Sequence, residues 1–459
     1  MRVDMRNYRL INQLILYTTA QSEKEWLLLH GFKKNNLMNS STEVKKLPSI
    51  LGGIMIIAGT TIGGGMIAIP IATAGIWFYR SIFVLIYAWF CMTISGLMLV
   101  ETNLHYPKGA SFDTMVKDLL GKKWNIITGV TISFVLYTLV YAYITVGGSI
   151  TTEIINENQG LFAIPNQLGG GVFCVILAVC VWISTKVIDR LSTILIIAMV
   201  LSFIGMSTGL LKNINFDFLS NAIDPKGGDA NYWKYFFFAL PVCVTSFCFH
   251  GTAPSITMYY DRNGKATQKA IIWGSLIAFV VYLIWLASVQ GTLPRHEFIS
   301  IFGASDEVRM MIERISQLVA VPHMGLLIDF FTYMAIISSF LGASLGLFDY
   351  LADLFNIKDT KLGRLKTASI TFLPPLIFAM LFPYGFVTAI GYVGFAAAIW
   401  SILVPALMVL ESRKRFKGKH YRVWGGKPLV YFIIAFALLT IASMLITELN
   451  IIEAFGKLS

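Results

Sequence analysis

Apolar runs long enough to cross a bilayer recur along this chain, at 49–77, 80–101, 124–150, 170–188, 192–211, 233–260, 268–290, 324–350, 367–381, 386–411 and 428–449. A hydrocarbon core of about 30 Å calls for roughly 20 such residues in a helix. Inside lipid only helices and closed barrels satisfy their own backbone groups. The chain is therefore expected to be an all-α membrane protein of eleven transmembrane helices. Its charge content agrees: 13% of residues are charged and 56% hydrophobic, where a soluble domain carries about 25% charged residues.

The placement of lysine and arginine sets the expected orientation. Eight fall in 1–48 and seven in 412–427, and most of the rest lie in 102–123, 186–191, 261–267 and 351–366. These segments share one side of the membrane if the chain starts inside, so the N-terminus is expected in the cytoplasm and the C-terminus outside. The net charge of +11 is then an insertion signal, and no nucleic-acid partner is expected. The layout follows: a cytoplasmic N-terminal segment (1–48), a ten-helix core (49–411), a basic cytoplasmic loop (412–427), and an eleventh helix with a short periplasmic tail (428–459). Residues 1–37 make a poor signal peptide, and Met38 opens a compact polar leader, so Met38 is the expected native start. The cysteines Cys91, Cys174, Cys180, Cys243 and Cys248 all lie in apolar runs without a C-x-x-C pair, which argues against disulfides and zinc.

Two spans resist folding as continuous helices. The first contains "IIAGTTIGGGMIAIP" (56–70), where Gly59, Gly63, Gly64 and Gly65 each cost about 1 kcal/mol relative to alanine. Gly59 and Gly63 alone have the spacing of a close helix-packing face. The sixth span, "FFFALPVCVTSFCFHGTAPSITMYY" (236–260), is interrupted as well, by Pro241, Gly251 and Pro254. Spans five apart enter from opposite sides, so the pair predicts two inverted repeats, spans 1–5 and 6–10, with a substrate site at the broken helices. A broken helix presents free N–H groups at one new end and free carbonyls at the other. N–H groups of Gly63, Gly64, Gly65 and Met66 suit a carboxylate. Carbonyls of Gly59, Thr60 and Thr61, with those near Ser246 and Phe247, suit an ammonium. A substrate carrying both groups side by side is an α-amino acid.

The stretches "GGIMIIAGTTIGGGMIAIPIATAG" (52–75), "LPVCVTSFCFHGTAPSI" (240–256) and "SSFLGASLGLFDYLAD" (338–353) resemble the hydroxy/aromatic amino acid permease family, most closely its tyrosine-specific and tryptophan permeases. The similarity runs from about residue 45 to the C-terminus. It implies eleven spans, the leucine-transporter-like five-plus-five inverted fold of the amino acid–polyamine–cation superfamily, and proton-coupled uptake across the bacterial inner membrane. Carried onto this chain, it implies substrate contacts at Gly59–Gly65 and at Ser246–Thr252, including Gly251 and Thr252. Gly64 stands where many relatives are expected to have alanine.

An aromatic substrate needs an apolar, aromatic slot with few polar partners. Candidates are Phe247 and Phe249, Tyr137 and Tyr141, and Trp400. His250 is the one histidine inside a span, and ionisable groups at that depth default to function; it is a candidate for proton coupling or for a substrate hydrogen bond. Glu101 and Asp349, near span ends, are further coupling candidates, although interfacial charges commonly just snorkel. Ser338 and Ser339 are weak sodium candidates. The expected activity is import of an aromatic amino acid, tyrosine first and tryptophan next, by proton symport, with no cofactor and an oligomeric state left open. The alternative is proton- or sodium-coupled transport of serine, threonine or a branched-chain amino acid. A channel lacks a filter sequence here, and neither an enzyme constellation nor a nucleotide-binding loop is found.

Overall fold

A computed structural model describes residues 48–158, 163–183, 185–222, 232–302, 304–319, 324–358, 360–416, 421–453 and 455. Met38 and the rest of the N-terminal segment up to 47 lie outside them. The chain divides into Met1–Pro48 and Ser49–Ser459, and all the helices below belong to the second unit.

Among the described residues nine helices are long and apolar enough to cross a membrane, and a bent pair makes a tenth candidate. In chain order the elements are α1 (Ile50–Thr61), α2 (Gly65–Ala72), α3 (Phe78–Asn103), α4 (Phe112–Leu120), α5 (Lys122–Asn158), α6 (Asn166–Ile183), α7 (Thr185–Leu211) and α8 (Phe216–Ser220). There follow α9 (Phe236–Ser246), α10 (Ala253–Tyr259), α11 (Gly264–Thr292), α12 (Glu297–Phe302), α13 (Glu307–Leu318), α14 (Met324–Leu354) and α15 (Lys361–Leu381). The last are α16 (Phe386–Ala397), α17 (Val404–Arg415) and α18 (Gly426–Glu448), with a π-helical stretch, Ala398–Leu403, joining α16 to α17. The run expected at 367–381 is helical within α15. However, Lys361, Arg364 and Lys366 occupy the start of that helix, which leaves too short an apolar stretch to span by composition alone.

The bundle is held by α1 against α11, α9 and α10 against α3, α5 against α6 and α16, and α14 against α7 and α15. Small residues allow these approaches, as they do where apolar surfaces have no water to expel. A Cβ on Gly274 of α11 would stand 2.6 Å from Ile57 Cβ, and one on Gly148 of α5 would stand 2.6 Å from Gly170 Cα. On α16, a Cβ at Gly394 would meet the Pro241 carbonyl oxygen at 2.0 Å. Beside it, the Thr245 hydroxyl donates across to Ile390 O at 2.8 Å. Large apolar side chains of α6 and α7, among them Val175, Ile176, Ile197 and Leu201, are exposed, as a lipid-facing surface requires.

At one end of the bundle a polar cluster ties distant segments together. Arg413 binds Glu101 through two parallel bonds, Nε to Oε1 at 2.7 Å and Nη2 to Oε2 at 2.8 Å. The Val423 N–H adds a third to Oε2 at 2.7 Å. Nearby, Arg262 donates to the carbonyls of Leu104 and Tyr106.

Candidate functional site

The first break is a 55° bend between α1 and α2. One extended residue makes it, Ile62, at φ −74° and ψ 112°. The glycines play another part. Gly64 has ordinary helical angles, so its missing Cβ matters for close approach rather than for a left-handed backbone. A Cβ there would stand 2.6 Å from Tyr143 Cε1 and 3.2 Å from Ile336 Cδ1. On Gly63 it would meet Ser339 Oγ at 2.6 Å, and on Gly65 the Ser246 Oγ at 3.1 Å and Cα at 3.3 Å. Helices α5, α14 and α9 therefore all close on the three-glycine run.

The second break follows α9. The helix stops at Ser246, passes through Phe247–Phe249, tightens into a 3₁₀ turn at His250–Thr252 and resumes as α10 with Pro254 in its first turn. That position suits proline, whose missing N–H would be unpaired there anyway. The two breaks lie side by side. Ser246 Oγ is 3.0 Å from Gly65 O as donor to acceptor. The Tyr282 hydroxyl of α11 lies 2.7 Å from both Thr61 O and Ser246 O, the last carbonyls of α1 and α9. Its single proton is thus shared between two helix C-termini. Tyr282→Phe should leave two buried acceptors without that donor and cost about 1–3 kcal/mol. A lowered melting midpoint of the purified protein checks this, and an unchanged midpoint would contradict it.

Of the four expected carboxylate donors, two are engaged. Gly64 N donates to Ser339 Oγ at 2.8 Å and Met66 N to Gly63 O at 3.1 Å. The N–H groups of Gly63 and Gly65 make no hydrogen bond among the described residues, and neither do the carbonyls of Gly59, Thr60 and Phe247. At the first break, unpaired donors and unpaired acceptors thus stand within three to six residues of each other along the chain. Gly59, Thr60 and Gly251 are at least partly open to the surface, and a Cβ on Gly59 or Gly251 would meet nothing within 4 Å.

The side-chain candidates separate. Phe247 is fully buried and packs on Tyr282 and Phe279 of α11, at 5.0 and 6.5 Å between ring centroids. Phe249 fills the notch left by Gly96 of α3 and stacks on His250 at 5.0 Å. His250 is completely buried, and neither ring nitrogen has a partner. Trp400, in the π-helical stretch, meets it edge-on at 6.2 Å, and its Nε1 is unpartnered too. Such π turns frequently mark functional sites.

Tyr137 and Tyr141 point elsewhere: Tyr137 donates to Ile370 O at 2.7 Å, and the Tyr141 hydroxyl reaches Phe382 O and Tyr384 O at 3.0 and 3.2 Å. The tyrosine of α5 that reaches the break is Tyr143, absent from the sequence candidates together with Tyr282 and Ile336. Thr252 hydrogen-bonds within its own turn, to Phe249 O at 2.7 Å. Ser338 is half-buried beside Ser339, and Asp349 is half-buried toward the end of α14. Glu101 sits in its ion pair with Arg413, five residues along α3 from Gly96, on which Phe249 packs.

A family profile described as the tryptophan/tyrosine permease family matches residues 46–444. The chain belongs to the tryptophan/tyrosine permease family. It is 49% identical over 415 residues to a tryptophan-specific transport protein of Haemophilus influenzae, covering 90% of this chain and 99% of the relative. A tryptophan-specific transport protein of Pseudomonas aeruginosa is 44% identical, with coverage of 88% and 96%. A tyrosine permease of Enterobacter agglomerans is 39% identical, with coverage of 81% and 89%. As a tryptophan/tyrosine permease the chain is a multi-pass membrane transport protein and not an enzyme. Both broken helices lie inside the matched region.

Proposed function

We propose that this permease imports an aromatic amino acid, tryptophan ahead of tyrosine, by proton symport with alternating access. The observation that carries the reading is the pair of adjacent helix breaks. There the unpaired N–H groups of Gly63 and Gly65 suit a carboxylate, and the unpaired carbonyls of Gly59, Thr60 and Phe247 suit an ammonium. Tryptophan moves ahead of tyrosine because the relatives at 49% and 44% identity are named tryptophan-specific. Phe247, Tyr143 and Trp400 supply aromatic surface around the breaks, with Ser246, Thr61 and Thr252 as polar neighbours.

The reading includes eleven transmembrane helices, with α15 as the ninth, in two inverted repeats of five plus one addition. Exchanging each span with the one five places on supports this, because the packing repeats. Span one on seven (α1 on α11) is matched by six on two (α9 and α10 on α3), and span five on eight (α7 on α14) by ten on three (α16 on α5). We assign an inner-membrane location, with the N-terminus cytoplasmic and the C-terminus periplasmic. A single chain contains the whole site.

Coupling is assigned to His250, whose two unpartnered nitrogens are buried beside the second break, rather than to Glu101, which Arg413 holds. Gradient-driven accumulation of labelled tryptophan in proteoliposomes, without sodium, tests the function, with tyrosine, phenylalanine and leucine for comparison. Leucine preferred over every aromatic amino acid, or uptake only with sodium, would contradict it. His250→Gln should retain exchange across the membrane and lose accumulation above equilibrium; full accumulation would remove His250 from the coupling step.

A further inference from the structure

A cavity of about 200 Å³ opens at the bundle end where α11 finishes and α16 begins. Its walls include Thr145 of α5, the Asp306–Glu307 start of α13, Tyr384, and Phe386 and Thr388 of α16. One layer of side chains divides it from the first helix break. Phe386, in its wall, lies 6.5 Å from the Tyr143 ring, and Tyr143 packs directly on Gly64. Helix α13 rests on α2, the half-helix that begins at that break. In the proposed orientation this end faces the periplasm, which makes the cavity the candidate vestibule for the first break. Phe386 lines the cavity, and Tyr143 lies behind it.

Glu307 is the carboxyl group in that wall for which no cation is positioned. It forms no ion pair or hydrogen bond among the described residues. Beside it, Asp306 caps α13 by accepting from Arg309 N at 3.1 Å. The guanidinium of Arg309 is taken by Glu313 at 2.8 Å and by Glu153 of α5 at 2.9 Å. From the loop before α16 comes the Tyr384 phenol, which accepts from Asn166 Nδ2 at 3.1 Å. The residues that α5 and α16 present to the cavity, Thr145, Val146 and Phe386–Thr388, do not titrate, and α2 carries no ionisable side chain. On the far side, α12 contributes Glu297, which Arg314 engages at 3.5 Å, and α14 contributes Asp329.

We propose that Glu307 is the periplasmic proton acceptor of the transport cycle, gating the vestibule above the first helix break. A neutral carboxyl lets the start of α13 lie against α5 and α16. A carboxylate in the same place demands water and a more open vestibule. The proposal rests on the proton-symport reading and adds the residue where the external proton is taken up.

Burial, with the charge of Asp306 beside it, raises the Glu307 carboxyl from 4.5 to about 7. The sign follows from a folded-state value lying above that of a hydrated carboxyl. The closed arrangement is fully favoured below 4.5, where the group is protonated whether open or closed. It loses stability as pH rises toward about 7, where only the closed form still holds the proton.

The test is the external-pH dependence of the apparent KM for tryptophan uptake by the full-length protein in liposomes. In the wild type KM should rise between about pH 4.5 and about 7, by up to about tenfold per pH unit as one proton-coupled site allows, and be level on either side. Glu307→Gln, neutral at every pH, should give a level KM across the range. Glu307→Asp should keep the rise with a moved midpoint, which separates titration from a loss of folding. A rise unchanged in Glu307→Gln, or a level wild-type profile in vesicles that still accumulate tryptophan on a proton gradient, overturns the Glu307 assignment alone. Wild-type uptake indifferent to the gradient overturns the symport reading along with it.

Discussion

Gly64→Val is expected to abolish tryptophan binding while leaving an assembled protein. The added Cβ would stand 2.6 Å from the Tyr143 ring and 3.2 Å from Ile336, so α5 and α14 would have to move off the break. Overpacking of this kind costs about 1–3 kcal/mol. The displaced segment also holds the Gly63 and Gly65 donors, so affinity should fall by at least about 100-fold, or ~2.7 kcal/mol. Gly342→Ala, where a Cβ on α14 meets nothing within 4 Å, should bind as the wild type does. Equilibrium binding of labelled tryptophan to the two purified variants makes the comparison. Wild-type affinity in Gly64→Val would contradict a substrate site at the first break.

The other large effect lies in the Glu101–Arg413 ion pair. Glu101→Ala leaves the Arg413 guanidinium, only 13% exposed, without its counter-charge. Removing one partner of a buried pair costs about 3–5 kcal/mol, a large share of the roughly 5–15 kcal/mol that holds an ordinary domain folded. The variant should fail to yield monodisperse protein by size-exclusion chromatography. Glu101→Met combined with Arg413→Met should recover it, because replacing both partners by apolar groups avoids the unpaired charge. Recovery of transport along with assembly would make the pair structural. An assembled double variant without accumulation would return Glu101 to the coupling step.

The backbone of this site was legible in the sequence for a local reason. Three consecutive glycines in an apolar run, and a proline shortly after "FHG", make continuous helices costly, so each interruption falls within a few residues of its signal, the first at Ile62 and the second at Phe247–Phe249. The packing between distant helices was not. Tyr143 reaches Gly64 while Tyr137 and Tyr141 bond to α15 and to the loop after it. On a helix Tyr141 and Tyr143 point about 200° apart, and nothing local to α5 says which face meets α2. With aromatic residues making up 14% of the chain, their type alone selects none of them.

Tyr282 was missed for the same reason, since its two carbonyl partners lie 221 and 36 residues away. Glu101 read as a free interfacial carboxylate because Arg413 is 312 residues distant. The run at 367–381 read as a span, but it continues a helix whose first turns carry Lys361, Arg364 and Lys366.

In the proposed site the two broken helices hold the substrate by its carboxylate and its ammonium. The most direct test is competition against labelled tryptophan by tryptophan, tryptamine and indole-3-propionate, which share the ring and lack neither, the carboxylate and the ammonium respectively. Tryptamine and indole-3-propionate should each bind at least about 100-fold more weakly than tryptophan, since each leaves one set of helix-end groups unmatched. An analogue that competes within about tenfold of tryptophan would contradict the assignment of the end it does not use.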